Sequence, residues 1–365
     1  MRKLTAFIAL LIALATIFAM SACTDEGSES SSAADSSVAE NLSSEEESLV
    51  SAESTETSAE SIVIESSDAS AESSGTAETA QVRPLLYKAT GKNGGTVYLL
   101  GTIHVGDERV ETLPDYVMDA YNESDWLCVE ADIVKHNSDT EAQMALVQKM
   151  LCDVQKGETV KNYISEELYG DMKKLLEDKE LYNQLYDYYK PVFWYTLLQE
   201  VYLADTGLSS DYGVDNTLLN LAHDGEKEIR EAEGVDYQYD MLFGFDNEIY
   251  RMMIESVVYD YQASVDGTTE LYELWLSGNE AEFAKALAEE GELEDLTDEE
   301  LALYEDYNKA MITDRNLAMA ELVEEYLAED GTGFFAVGAA HIVGEGAVVE
   351  LLRAEGYTVE LVSAD

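Results

Sequence analysis

Basic residues are scarce in this chain. Its 365 residues include 21 lysines and arginines against 76 aspartates and glutamates, which gives a formal net charge of −55. Proteins that bind nucleic acid neutralise backbone phosphates with lysine and arginine, so this composition argues against a nucleic acid partner. An acidic surface favours solubility and is compatible with the binding of cations.

Several familiar catalytic motifs are absent as well. The sequence contains no glycine-rich phosphate loop, no His-Glu-x-x-His helix and no Cys-x-x-Cys pair. It also lacks the Gly-x-Ser-x-Gly turn of α/β-hydrolases. These absences argue against nucleotide-dependent enzymes, the common zinc peptidases and serine hydrolases.

Cysteine is limited to Cys23, Cys128 and Cys152. A disulfide between Cys128 and Cys152 would be compatible with a location outside the cytoplasm, and the sequence alone leaves that pairing open. Two free thiols are slightly favoured, because Cys128 lies in an apolar segment that is typical of a buried strand.

The amino terminus has the pattern of an export signal. Arg2 and Lys3 precede an apolar stretch, residues 4–20, that is rather short for a membrane-spanning helix. Met20-Ser21-Ala22-Cys23 resembles the lipobox of bacterial lipoproteins, which predicts a signal peptide over residues 1–22 and lipidation of Cys23. The expected location is the extracytoplasmic face of the cell membrane. The alternative is a cleaved secretory signal followed by an incidental cysteine.

Residues 23–82 are predicted to be a disordered tether. They are rich in serine, alanine and glutamate, and residues 24–82 contain no lysine or arginine. Such a segment cannot bury enough apolar surface to offset the entropy lost on ordering, and its like charges extend it. The folded domain is therefore expected in residues 83–365.

Two similar blocks bracket a helical middle in that domain. Strand-like segments occur at residues 85–89, 96–100 and 126–130, and again at 334–337 and 357–362. From about residue 139 to 329, apolar residues recur at the three- and four-residue spacing of helices. The sequence predicts an α/β (α+β) fold, in which two strand–Gly-x-x-His–helix blocks form one sheet-containing core around a long helical insertion.

Two of the four histidines occupy matching positions. The motifs Gly101-Thr102-Ile103-His104 and Gly338-Ala339-Ala340-His341 each follow an apolar, strand-like run. A glycine at a strand end allows a sharp turn, and α/β folds build their sites at the carboxyl edge of the sheet. Because neutral imidazole is a common ligand of divalent metals, His104 and His341 are predicted to be a pair of metal ligands or a catalytic pair. The alternative is two unrelated loop histidines.

Four further residues are candidates for the same site. Glu130 ends an apolar strand and could be a metal ligand or a general base; the alternative is an exposed residue at an edge strand. Arg315 lies in an apolar helix and could bind a substrate carboxylate or stabilise an oxyanion, whereas its alternative role is a structural salt bridge. Asp215 and Glu233 are weaker candidates in such an acidic chain.

These residues together resemble the TraB/PrgY/GumN family, which includes the animal Tiki proteins. The resemblance covers about residues 85–362, and together with the lipobox-like sequence it suggests a bacterial lipoprotein member of the family. It rests on the two Gly-x-x-His motifs, on Glu130, and on the following matches: Gly213-Val214-Asp215, Lys227, Glu233 followed by Gln238, Arg315-Asn316 and the segment from Val337 to Gly346. One departure is Ala232-Glu233-Gly234, where the family more often has Leu-Glu-Thr.

The resemblance implies a function. The Tiki branch is described as manganese- or cobalt-dependent metalloproteases that cut near a protein's amino terminus, and the PrgY/TraB branch is associated with blocking peptide pheromone signals. The expectation is a surface-anchored, metal-dependent hydrolase acting on peptides or protein amino termini. Manganese or cobalt is favoured as the metal, with zinc as a further candidate. The metal ligands would be His104, His341 and Glu130, and the catalytic residues would be Glu130, Arg315, Glu233 and Asp215. The alternative is a non-catalytic module that sequesters a peptide signal.

Overall fold

A mixed six-stranded sheet lies at the centre of the computed structural model, which describes residues 82–92, 94–288 and 296–363. The strands are β1 (Leu86–Thr90), β2 (Thr96–Thr102), β3 (Trp126–Val129), β4 (Glu228–Glu231), β5 (Thr332–Gly338) and β6 (Thr358–Leu361). Their order across the sheet is β4-β3-β5-β2-β1-β6. The first four strands in that order run parallel, and β1 is antiparallel to both of its neighbours.

The strands of the two Gly-x-x-His blocks are direct neighbours. Leu99 of β2 lies opposite Phe335 of β5, and Thr102 lies opposite Gly338. Both strands are near-continuous apolar runs, as is typical of parallel strands that are buried on both faces. This register brings the two histidine-containing turns to the same end of adjacent strands. The predicted α/β (α+β) fold with one sheet-containing core is thereby confirmed.

Helices surround the sheet and form most of the insertion. They are α1 (Asp115–Glu123), α2 (Ile133–Asn137), α3 (Thr140–Met150), α4 (Glu166–Asp178), α5 (Pro191–Thr206), α6 (Val214–Asp224), α7 (Val235–Gly244), α8 (Asn247–Tyr259), α9 (Tyr261–Ser277), α10 (Glu280–Ala288), α11 (Asp298–Asn308), α12 (Asp314–Ala328), α13 (Ala339–Ile342) and α14 (Val348–Ala354). A π-helical turn, Lys309–Thr313, joins α11 to α12. Short 3-10 turns occur at Glu108–Val110, Val160–Asn162, Gln184–Tyr188 and Ser210–Tyr212.

Local signals in the sequence set several helix starts. The Ser165 hydroxyl accepts a hydrogen bond from the Leu168 backbone N–H and begins α4. Thr297 and Glu300 form a capping box at the start of α11. Pro191 occupies the first position of α5, where its missing N–H has no cost.

The helical middle predicted for about residues 139–329 also contains a strand that the sequence did not predict: Glu228–Glu231 form the edge strand β4. Backbone pairing with β3 holds this segment in the sheet. Its only apolar residue, Ile229, packs against the core, while the Arg230 guanidinium lies 4.3 Å from the Trp126 ring centroid. Charged side chains are typical of edge strands, so the segment carries no hydrophobic pattern that would identify it.

The core continues from the sheet into the insertion. Trp194 and Tyr202 of α5 are fully buried, and α5 packs against α8 and α9. Cys128 and Cys152 are both buried and are not joined to each other. Helix α5 is therefore part of the hydrophobic core.

The amino-terminal predictions fall outside the part of the chain that the structure describes. This applies to the signal peptide over residues 1–22, to the lipidation site Cys23 and to the tether over 23–82 apart from Val82. All of the described residues belong to one compact unit. Within the described ranges, none of the helices has both the length and the apolar character needed to cross a membrane.

Candidate functional site

The carboxyl ends of four parallel strands each lead to one candidate residue. Glu130 follows β3 directly, His104 and Glu233 lie two residues after β2 and β4, and His341 lies three residues after β5. Parallel strands end at the same edge of a sheet, and this edge is where α/β folds hold their ligands. The topology therefore brings together four side chains that are far apart in sequence.

Three of these side chains surround Gly338. A Cβ atom on Gly338 would lie 3.2 Å from Glu130 Oε1, 3.6 Å from His104 Nε2 and 3.7 Å from His341 Cδ2. The two histidines and Glu130 therefore lie close together around this glycine. Because residue 338 is a glycine, the space between the three side chains stays open.

His104 is paired with Asp215, the second residue of α6. Its Nδ1 lies 3.0 Å from Asp215 Oδ1, a distance typical of an ion pair. Burial alone would lower the pKa of His104, but the Asp215 carboxylate raises it above its ordinary value. The other ring nitrogen, Nε2, is buried and has no hydrogen-bond partner among the described residues.

His341 is held by Asn316 on α12. Its Nδ1 lies 2.7 Å from Asn316 Oδ1, while Asn316 Nδ2 donates to the Gly346 carbonyl at 3.0 Å and so fixes the orientation of the amide. An amide oxygen can only accept, so Nδ1 carries the proton and Nε2 keeps its lone pair. Burial and the nearby Arg315 lower the pKa of His341 to about 3, which leaves a neutral imidazole at physiological pH.

Glu130 is a buried carboxylate with several donors around it. Its Oε1 accepts the Gly338 N–H at 2.7 Å, and its Oε2 accepts from Arg315 Nη2 at 2.7 Å and from Gln238 Nε2 at 3.0 Å. Burial would raise the pKa of Glu130, but Arg315 and the histidines hold it far below its usual value. Such a carboxylate is ionised and weakly basic, so the contacts favour a ligand or electrostatic role over that of a general base.

Arg315 is occupied by neighbours on the protein. Its Nε and Nη2 donate to the two carboxylate oxygens of Glu233, at 2.6 and 2.9 Å, and its Nη1 donates to the Met311 carbonyl in the π-helical turn. The side chain is only 3% exposed. These contacts favour the structural salt bridge over a substrate clamp, and the clamp stays a prediction. Glu233 in turn orients Arg315.

Two small cavities meet at His104. One, of about 30 Å³, is bordered by His104, Glu130, Asp215 and Gln238. The other, of about 50 Å³, is bordered by His104, His341 and Arg315 on one side. The remainder of its wall is mostly apolar and includes Leu271, Phe283, Leu287, Met311 and Ile312. The convergent polar residues thus border two cavities that share Thr102 and His104.

Comparison with known proteins identifies the family. The sequence profile described as the TraB/PrgY/gumN family matches residues 85–361. The chain belongs to this family. It is also similar to the uncharacterized protein YbaP of Escherichia coli K12, with 23% identity over 261 residues that cover 70% of this chain and 87% of YbaP. A YbaP protein of Shigella flexneri matches to the same extent. No solved structure matches the chain.

Two residues of this TraB/PrgY/gumN site had no role assigned from the sequence. Gln238 on α7 donates to both Glu130 and Glu233, and Asn316 orients His341. Both are among the residues that carry the family resemblance, which was the only available signal. Lys227, another of those residues, instead donates to the backbone carbonyls of Tyr121 and Ser124 at the end of α1.

The donor set of this family member fits a divalent cation in part. Within the described ranges, no group of three or more His, Cys, Asp or Glu side chains stands at metal-binding spacing. The buried, unpaired Nε2 of His104 and the neutral imidazole of His341 are nonetheless suitable nitrogen donors. Asp215 and Asn316 contact their Nδ1 atoms, as outer partners of metal-binding histidines commonly do. Glu130 is less available as a third metal ligand, because Arg315 already forms an ion pair with it.

Proposed function

We propose that this TraB/PrgY/gumN protein is a surface-anchored, metal-dependent hydrolase that acts on peptides or protein amino termini. The observation that carries the proposal is the convergence of His104 Nε2, Glu130 Oε1 and His341 around Gly338. His104 and His341 would hold the metal, with Glu130 as the third donor. A divalent cation supplies Lewis acidity, since it polarises a carbonyl and lowers the pKa of a bound water. The family resemblance favours manganese or cobalt, and zinc is a further candidate.

The surrounding residues would keep the donors in place. Asp215 lies beside His104 Nδ1 and Asn316 orients His341, and such outer partners commonly raise the affinity of a metal ligand. Arg315 holds the Glu130 carboxylate ionised at neutral pH, and Gln238 donates a hydrogen bond to it. The site would therefore be largely preorganised before a cation or a peptide binds.

Metal binding is the first test. The full chain with Cys23→Ser, purified without added ions, is analysed for bound metal and titrated calorimetrically with Mn²⁺, Co²⁺ and Zn²⁺. We expect His104→Ala and His341→Ala to abolish binding. His223→Ala is the matched control, because His223 is an exposed histidine that contacts Asp132. If both site variants bind as well as the parent, the ligand assignment is wrong.

Peptide cleavage is the second test. The same protein is incubated with a peptide mixture and Mn²⁺, and the product masses are recorded. We expect metal-dependent cleavage that is lost in Glu130→Gln and retained in Glu111→Gln, which changes an exposed glutamate. Cleavage that persists in Glu130→Gln would contradict the role of that carboxylate.

A peptide-sequestering module without catalysis is the second candidate. The ion pair between Glu130 and Arg315 favours it, because this pairing makes Glu130 a weak proton acceptor and reduces its attraction for a cation. Peptides retained intact by the immobilised protein, with or without Mn²⁺, would support sequestration. Metal-dependent cleavage would exclude a purely sequestering role.

Anchoring through Cys23 is tested separately. The lipobox-like sequence supports a lipid anchor on the extracytoplasmic face of the cell membrane. We expect Cys23→Ser to move the full chain from the membrane fraction to the soluble fraction of a bacterial host. Cys152→Ser, which changes a buried thiol, should leave the distribution unchanged. Equal membrane retention of parent and Cys23→Ser would contradict the anchor.

A further inference from the structure

The larger of the two cavities at His104 has a distinctive composition. We call it the apolar recess and define it by Leu271, Phe283, Leu287, Met311 and Ile312, which line it together with the two histidines. These apolar residues come from α9, α10 and the π-helical turn. Ligand sites commonly combine such an apolar wall with a few convergent polar groups. The recess therefore has the chemistry of a side-chain pocket.

The size of the apolar recess limits its occupant. Its volume is about 50 Å³, roughly a third of the ~150 Å³ of an engineered apolar cavity that holds benzene. An aromatic side chain is thus too large, whereas the side chain of alanine or valine has a suitable size. No aspartate or glutamate lines the recess within the described residues, so a lysine or arginine side chain would have no counter-charge there despite the acidic composition of the chain.

A buried hydroxyl provides an independent indication of a ligand. Thr102, at the end of β2, borders both cavities, and its Oγ1 is buried without a hydrogen-bond partner in the described part of the chain. An unsatisfied buried polar atom costs free energy and calls for a physical reason. A peptide backbone group at this position would satisfy the hydroxyl while the adjacent side chain fills the apolar recess.

We infer that the peptide bound by this protein places a small aliphatic side chain, of alanine or valine size, in the apolar recess, and that the Thr102 hydroxyl bonds to the backbone of the same residue. The inference rests on the proposed function only in taking a peptide as the ligand. It holds for a hydrolase and for a sequestering module alike, because both must bind the peptide beside His104 and His341.

A degenerate peptide library tests the inference through two separate readouts. The full chain with Cys23→Ser is immobilised and incubated with the library and Mn²⁺, and mass spectrometry identifies both the retained peptides and the cleavage products. We expect alanine and valine to be enriched at one position, at least tenfold over phenylalanine and lysine.

Two variants and one control sharpen the test. Ile312→Ala enlarges the apolar recess and should raise the leucine-to-valine ratio at that position about tenfold. Leu322→Ala, which truncates another half-buried residue outside the recess, should leave the profile unchanged. Thr102→Val removes the hydroxyl at nearly constant shape. If the hydroxyl bonds to the peptide, this variant should weaken retention about tenfold without lowering the melting temperature. If the hydroxyl has only a structural role, retention should stay unchanged.

The outcomes separate the inference from the proposed function. Enrichment among retained but uncleaved peptides would support the recess and contradict the hydrolase. Cleavage with no aliphatic preference, or with an unchanged profile in Ile312→Ala, would contradict the inferred role of the apolar recess. The proposed hydrolase activity would still be supported. A library that is neither retained nor cleaved would overturn both.

Discussion

At the scale of single residues, the two histidines have the same motif but different environments. Asp215 raises the pKa of His104, whereas burial and Arg315 lower that of His341 to about 3. Environments that push the pKa values of neighbouring groups apart are typical of sites in which the groups have different tasks. The repeat in the sequence indicated a pair, and only the fold reveals that the pair is asymmetric.

Substitution of Asn316 tests the distinct environment of His341. Asn316→Ala removes the acceptor of His341 Nδ1 and frees the ring to rotate. We expect Mn²⁺ affinity to fall about 10- to 100-fold in calorimetric titration, as is usual when an outer partner of a metal ligand is lost. Asn216→Ala is the control, because Asn216 donates to the Ser210 carbonyl and contacts neither histidine. Unchanged affinity in Asn316→Ala would mean that the contact between Asn316 and His341 does not support metal binding.

Gly338 offers a second test at this scale. The backbone at Gly338 has φ −47° and ψ 136°, which alanine adopts readily, so Gly338→Ala should fold. Its Cβ would lie 3.2 Å from Glu130 Oε1 and close to both histidines, and we expect Mn²⁺ binding to be lost. Gly267→Ala on α9 is the control, since its Cβ would meet no atom within 4 Å. Normal binding by Gly338→Ala would show that the space beside this glycine is not used.

At the scale of elements, the close packing of β3 on β5 depends on one glycine. Gly333 of β5 lies opposite Trp126 of β3, and a Cβ on Gly333 would overlap the Trp126 ring. We expect Gly333→Ala to lower the free energy of unfolding by about 1–3 kcal/mol, the usual cost of overpacking, measured by urea denaturation. Exposed Gly170 in α4 is the control, because Gly170→Ala adds no contact and should stabilise by about 0.5–1 kcal/mol. Equal stability of Gly333→Ala and the parent would contradict this packing.

The sequence predicts some of these elements and misses others for a physical reason. Strands β2 and β5 are buried on both faces, so their apolar runs and the glycines after them could be recognised. The edge strand β4 is held by backbone pairing and by Arg230 stacked on Trp126. Neither interaction produces a periodic pattern of hydrophobic residues in the sequence. The same limit applies to Gln238, whose position beside Glu130 depends on where β3 and α7 meet in the fold.

At the scale of the whole molecule, burial protects both thiols of the folded part. Burial raises the pKa of Cys128 to about 12 and that of Cys152 to about 11, and the thiolate is the reactive form. In the Cys23→Ser chain at pH 8, we expect a disulfide reagent such as DTNB to modify neither thiol until denaturant unfolds the protein. Two thiols should then react. Rapid modification of either one under native conditions would contradict its burial.

The negative charge of the whole molecule should determine how salt affects its stability. Only 15 of the 76 acidic residues lie in residues 24–82, so most of the negative charge belongs to the folded part. With 21 basic residues available at most, repulsion between unpaired carboxylates outweighs the exposed ion pairs, which contribute about 0–1 kcal/mol each. Screening should therefore stabilise the fold. We expect the melting temperature to rise by several degrees between roughly 10 and 500 mM NaCl. Over this range the electrostatic screening length falls from roughly 30 to 4 Å.

A paired variant isolates this repulsion. Glu321 and Glu325 are exposed and lie one turn apart on α12, a spacing at which like charges destabilise a helix by about 0.2–0.5 kcal/mol. The double change Glu321→Gln and Glu325→Gln should raise the melting temperature at 10 mM NaCl and reduce the further rise at 500 mM. KCl at equal concentration is the control and should give the same rise, because screening depends on ionic strength and not on the identity of the cation. A melting temperature that falls with salt would mean that attractive ion pairs, and not the excess of carboxylates, dominate the surface electrostatics.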